Sequence, residues 1–435
     1  MIPSRRPLLL VLSLLCVFIL TSASGAQRGK KPLPDTVFTK KPELMKELGL
    51  SYGPFAFAHS NSDQVGQELL ISRDVLWLQT PHFRIGSMMK KWKIPVPERK
   101  AYRAELAEMQ ATYPEIDPKV STLDPWLRLH LYAWRMEKMY ALFLDHMGLT
   151  DEDFLKLPPE EIFDQAFAGE YTDVINQFEL DRGGQVRSPG FPEWVGMGQF
   201  LGEPYRFEIF MCEEESVWRE FKLSYFGIKT THPQRWNIKV ESTDKGLTQS
   251  RSRCMLFGIS GKQAEVRHEQ HMHNALRHNM AINFLDGYML YLFDLPSWLR
   301  EGYAHYMRRL NLKGYSFYDT GEGGAAIDKD LEEWAPLVRK LVKKNEAADF
   351  ATLARLNDYV DLDFDAHVVV WSKIEFLITT DKVKFGQFVT KLKSQESGAG
   401  MADAQRKAFK EIYGWTMRQA DEAWKTWVLE TYAVK

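Results

Sequence analysis

The feature that most limits what this chain can fold into is a change of period near Gly261. Before it, the short runs 207–212 (FEIFMC), 237–241 (NIKVE) and 254–259 (CMLFGI) read as strands, and 77–85 suggests an earlier one. After it, apolar residues recur at helical spacing over 262–285, 297–310, 330–344, 366–379, 382–394, 402–413 and 417–432. Two helices interrupt the strand-bearing part. One covers 124–147 and opens on Asp124-Pro125, a capping residue followed by the residue that suits a first helical turn; the other covers 214–225. Strands followed by helices predict an α+β fold.

The first residues stand apart from that pattern. Arg5 and Arg6 precede an apolar run over 8–20 (LLLVLSLLCVFIL), and small residues follow as far as Ala26. This is the three-part arrangement of a secretory signal peptide, with cleavage expected after Ala26. The run falls short of the roughly 20 residues that span a bilayer. The expected location is therefore secreted or periplasmic, with no membrane span after cleavage. Segments 27–66, 67–206, 207–330 and 331–435 then read as an N-terminal linker, a mixed region, a core and a C-terminal helical subdomain. The mixed region carries an insertion over 150–206, rich in Gly, Pro and acidic residues.

With 58 acidic against 56 basic residues, the chain offers no electrostatic case for a nucleic-acid partner. With Cys16 in the apolar run, Cys212 and Cys254 remain, which allows one disulfide but not a structural zinc site. The Gly-rich stretch 319–326 (DTGEGGAA) reads as a flexible loop without the context of a phosphate cradle.

Chemistry concentrates in the histidines. The chain has 11, yet His268, His271, His273 and His278 fall close together. His268-Glu269 opens the H-E-x-x-H signature of zinc hydrolases, in which two His one helical turn apart bind zinc and the Glu polarises a water. Here Met272 holds the second His position and His273 follows it. Five residues turn an ideal helix by about 500°, so His268 and His273 share a metal only across a one-residue π-bulge. His271, three residues on, is the other candidate. His278 and His305 read as ordinary surface or packing residues. A carboxylate on the next helix is the usual third ligand, and Glu301 in the segment 297–310 supplies it.

Together these residues resemble the gluzincin zinc metallopeptidases, in particular exported bacterial proteins with a peptidase-MA-like domain. Trp298-Leu299-Arg300-Glu301-Gly302-Tyr303-Ala304-His305-Tyr306 matches that group's W-L-x-E-G-x-A-x-Y helix at every defined position. The segment Thr80-Pro81-His82-Phe83 is similar to its entry strand, and 371–377 and 408–427 to its C-terminal helices. The spacing H-E-x-x-x-H resembles that of the dipeptidyl peptidase III family. The resemblance implies a gluzincin-like metallopeptidase fold, with a small mixed sheet followed by an active-site helix and a C-terminal helical bundle, and a zinc-dependent hydrolase acting on a peptide or protein. His268, His273 and Glu301 would hold Zn2+ and Glu269 would act as general base. His367, with Tyr359 behind it, would stabilise the oxyanion. The alternative is a binding or scaffold protein of the same fold without catalysis.

Overall fold

The computed structural model of the 435-residue chain describes residues within 35–69, 75–154, 199–236, 242–247, 255–260, 269–289, 295–310, 316–328, 333–393 and 401–432, apart from single positions and short gaps. The signal-peptide segment, most of the insertion, Cys254 and His268 lie outside the described residues. No helix among the described residues is long and apolar enough to cross a membrane.

The centre of the molecule is a five-stranded sheet. Its strands are β1 (Leu76–Gln79), β2 (Phe83–Met88), β3 (Phe207–Cys212), β4 (Gln234–Trp236) and β5 (Leu256–Ser260), in spatial order β1-β2-β3-β5-β4. β2, β3 and β5 run parallel, and the two outer strands are antiparallel to their neighbours. The sheet is thus mixed and small, which fits the expected α+β chain. The stretch 77–85 is two strands rather than one. Pro81 breaks the ladder, and Thr80 closes the turn by accepting from the Phe83 amide through its hydroxyl, 3.1 Å away.

Both faces of the sheet are covered, so alternate residues enter different cores. Phe207, Ile209 and Met211 of β3 join the main hydrophobic cluster. Phe210 and Cys212 join a smaller one with Trp218 and Phe221. The smaller core depends on Gly258, where an added Cβ would lie 2.1 Å from the Trp218 ring. Cys212 is a buried free thiol opposite Ser260 in the ladder, and Cys254, the partner the sequence allowed it, lies outside the described residues.

The helices that matter for the site are α1 (Arg99–Gln110), α2 (Pro125–Met147), α3 (Glu215–Phe226), α4 (Glu269–Gly287), α5 (Ser297–Arg309), α6 (Ala335–Lys344) and α7 (Phe364–Thr380). Asp124 caps α2 by accepting from the Trp126 and Leu127 amides, and Gly148 ends it with φ 66°. Asp363 caps α7 in the same way through the Ala366 amide. α4 is buried along nearly its whole length, including Asn274, Arg277, His278, Asn279 and Asn283. Polar groups buried in this way need partners inside the protein, such as the Met307 carbonyl that Arg277 reaches.

One expectation changes here. The Gly-rich stretch 319–326 belongs to a pair of antiparallel strands, β6 (Ser316–Gly321) and β7 (Gly324–Asp328), with Gly321 opposite Gly324. The run 237–241, expected as a strand, lies outside the described residues, and the strand before it is β4.

Candidate metal centre

α5 crosses α4 on one side and α7 on the other, antiparallel to α7. Gly302 makes the second crossing close: a Cβ there would sit 2.7 Å from both the Val370 carbonyl oxygen and Ile374 Cγ1. That contact point lies three residues from His305 on α5 and three from His367 on α7, which brings the two rings together. His305 Nε2 and His367 Nδ1 are 3.0 Å apart, with the ring planes at 90°. Across the other crossing, His278 Nε2 on α4 lies 3.4 Å from Glu301 Oε2 on α5. Arg277 fastens that crossing by donating to the Met307 carbonyl at 2.7 and 3.1 Å.

Three side chains therefore converge. His278, Glu301 and His305 each present a ligating atom within 4.8 Å of the other two, and all three are buried. Glu301 and His305 are one helical turn apart, so they share a face of α5. His278 reaches them from the middle of α4, and its ring centroid is 5.0 Å from that of His305.

Burial and neighbouring charges set the protonation states of these groups. Burial alone would raise the Glu301 carboxyl, but the hydrogen bond and charge of His278, with His367 and Arg235, hold it well below the usual carboxylate range. Burial, with the nearby His278, His367, Arg308 and Arg309, pushes His305 well below the ordinary imidazole value. Burial likewise takes His367 down to about 4. An ionised carboxylate and neutral imidazoles are the forms that ligate metals. Arg235 is oriented beside Glu301 by donating to Asn279 Oδ1 at 2.8 Å.

No protein-family model, no curated protein and no solved structure matches this chain. The centre is therefore read from its own geometry.

In that geometry Glu301 stands in a cluster with His278 and His305 rather than with His273. Glu269, expected as general base, opens α4 and is held in a buried ion pair by Arg128 of α2, bonded at 3.1 Å through Nε and again through Nη2. His273, expected as second ligand, is buried against Tyr132, with Arg135 and Arg277 as its charged neighbours. The reason is angular. His273 and His278 are five residues apart, so they point about 140° apart on the helix, and only the His278 face meets α5. His271 is only partly buried, and His268 lies outside the described residues. His278 and His305, read from sequence as packing residues, are the ones that join Glu301. His367 stands behind His305 and is bonded to it. Tyr359 is half-buried in the short turn Tyr359–Asp361.

A sequence signal for His305 existed, since Glu301-x-x-x-His305 is the spacing of two ligands on one helical face. For His278 the signal was weaker. An H-E-x-x-H frame ending at His278 would begin at Asn274-Ala275, which supplies neither the first ligand nor the acid.

Proposed function

We propose that this chain is an exported metal-binding protein of the gluzincin type, in which His278, Glu301 and His305 hold one zinc ion and the activity is hydrolysis of a peptide bond. The observation that carries the reading is the convergence of two imidazoles and one carboxylate from adjacent helices in a buried position. This donor set favours zinc over magnesium or calcium, which take oxygen ligands. Three protein ligands leave one coordination position open, as hydrolytic sites require. Zinc there would supply Lewis-acid polarisation of a carbonyl and a lowered pKa for water. The chain's own residues hold the ligand charges in place: Arg235 stands beside Glu301, and Arg277 locks α4 to α5. Export is read from the N-terminal sequence alone.

A second reading is favoured by one specific observation: no carboxylate base stands at the centre among the described residues. Glu269 is paired with Arg128, and Ala275 occupies the place an acid takes in the frame ending at His278. On that reading the chain binds metal, or a partner, without hydrolysis.

Elemental analysis and hydrolysis of an unfolded protein substrate, on wild type beside Glu301→Gln, separate the two. The hydrolase reading expects about one zinc per chain, and loss of both metal and hydrolysis in the variant. Zinc without hydrolysis selects the binding protein. No zinc after incubation with excess metal removes the metal centre itself.

A further inference from the structure

His367 sits beside the centre without belonging to its set of three. Its Nδ1 lies 3.0 Å from His305 Nε2, a hydrogen-bond distance, and both rings are fully buried. Between two neutral imidazoles such a bond has two forms. In one, His305 Nε2–H donates to a lone pair on His367 Nδ1. In the other, His367 Nδ1–H donates to His305 Nε2, and the His305 proton then sits on its Nδ1. The forms differ in what His305 can offer a cation. In the first, His305 Nδ1 carries a lone pair. In the second, its lone pair is spent on His367 and Nδ1 carries a proton, so the ring cannot ligate while the bond lasts.

Resting on the metal-centre reading above, we propose that His367 is a positioning residue: it accepts from His305 Nε2–H, fixes that tautomer, and so presents Nδ1 of His305 to the metal. The arrangement serves the purpose of the carboxylate or carbonyl that usually orients a ligating imidazole. The fold supports it rigidly. Gly302 permits the α5–α7 contact that sets the distance, Asp363 caps the start of α7 through the Ala366 amide, and Trp334 packs its ring 5.0 Å from His305. His367 does not touch the reacting atoms in this account, in contrast to the oxyanion role expected from sequence.

The test compares zinc affinity in wild type, His367→Phe and His367→Gln, with ring 15N spectra of the metal-free wild type. Phenylalanine fills the space without an acceptor, whereas the glutamine carbonyl can accept from Nε2–H. The expected result is an affinity loss of about 10- to 100-fold for the phenylalanine variant and substantial recovery for glutamine. A merely structural role would not separate the two. The metal-free spectrum, in which the His305 signals are identified by their absence from His305→Gln, is expected to show the proton on Nε2. That measurement needs no variant of His367 to fold. Equal zinc affinity in all three chains, or a proton on Nδ1 of His305, overturns the proposal while leaving the metal centre standing. Absence of zinc from wild type overturns the centre and this role with it.

Discussion

Arg128 grips Glu269 with two of its nitrogens, joining the first turn of α4 to α2 across the interior. The same guanidinium donates to Glu213 at 2.8 Å and to the Lys90 carbonyl at 2.7 Å, so one arginine ties α2, α4 and the end of β3. Breaking a buried pair by removing one partner typically costs about 3–5 kcal/mol, and the Glu213 contact that Arg128 keeps lessens the loss here. Glu269→Gln should therefore lower the urea midpoint strongly and leave zinc stoichiometry unchanged. A variant that lost zinc but kept wild-type stability would return Glu269 to the centre.

The ligand assignment makes a sharper division. His278→Ala, Glu301→Gln and His305→Ala should each abolish zinc binding, whereas His273→Leu, buried against Tyr132, should retain it. Isothermal titration with zinc distinguishes them, and loss in His273→Leu with retention in His278→Ala would restore the assignment made from sequence. Bound metal should also stabilise the fold, by about 2.7 kcal/mol at a hundredfold excess over Kd, and a chelator should reverse the gain.

The α5–α7 crossing has no room for a methyl group at residue 302, since one of the two nearest atoms, the Val370 carbonyl oxygen, is backbone and cannot swing away. Gly302→Ala should force the helices apart and cost about 1–3 kcal/mol. Because the displacement falls between His305 and His367, zinc affinity should drop as well. Chemical denaturation gives the first quantity, and a midpoint equal to wild type would refute the close approach.

His82 supplies a pH dependence far from the centre. Burial lowers its pKa, but bonds to Asp151 and Glu137 outweigh that and push it up to about 9. The folded value lies above the ordinary imidazole value of 6.5, so the stabilisation is fully present below about 6.5 and fades as pH rises through 9. The ring makes contacts of 2.6 Å with Glu137 and 3.1 Å with Asp151, the latter partner half exposed. Screening at Asp151 reduces the effect, leaving on the order of 1–3 kcal/mol. Thermal melts between pH 6 and 10 should fall more steeply for wild type than for His82→Gln, and parallel curves would remove the assignment.

Local patterns in the chain were enough to foresee most of the helices and to single out Glu301. Period alone separated a strand-bearing half from a helical half. Asp124-Pro125 announced the start of α2 because capping is a local bargain between one side chain and nearby amides. Glu301 was legible because it sits in a helix motif of fixed spacing. Which helix faces meet could not be read locally. His273 and His278 lie on one helix with the same composition around them, and nothing local says which side α5 will pack against. The 140° between them makes that choice decisive, and it is set by contacts between residues distant in the chain: Arg277 with Met307, and Gly302 with Val370. The fate of Glu269 was settled in the same way, by an arginine on α2 far upstream in the chain.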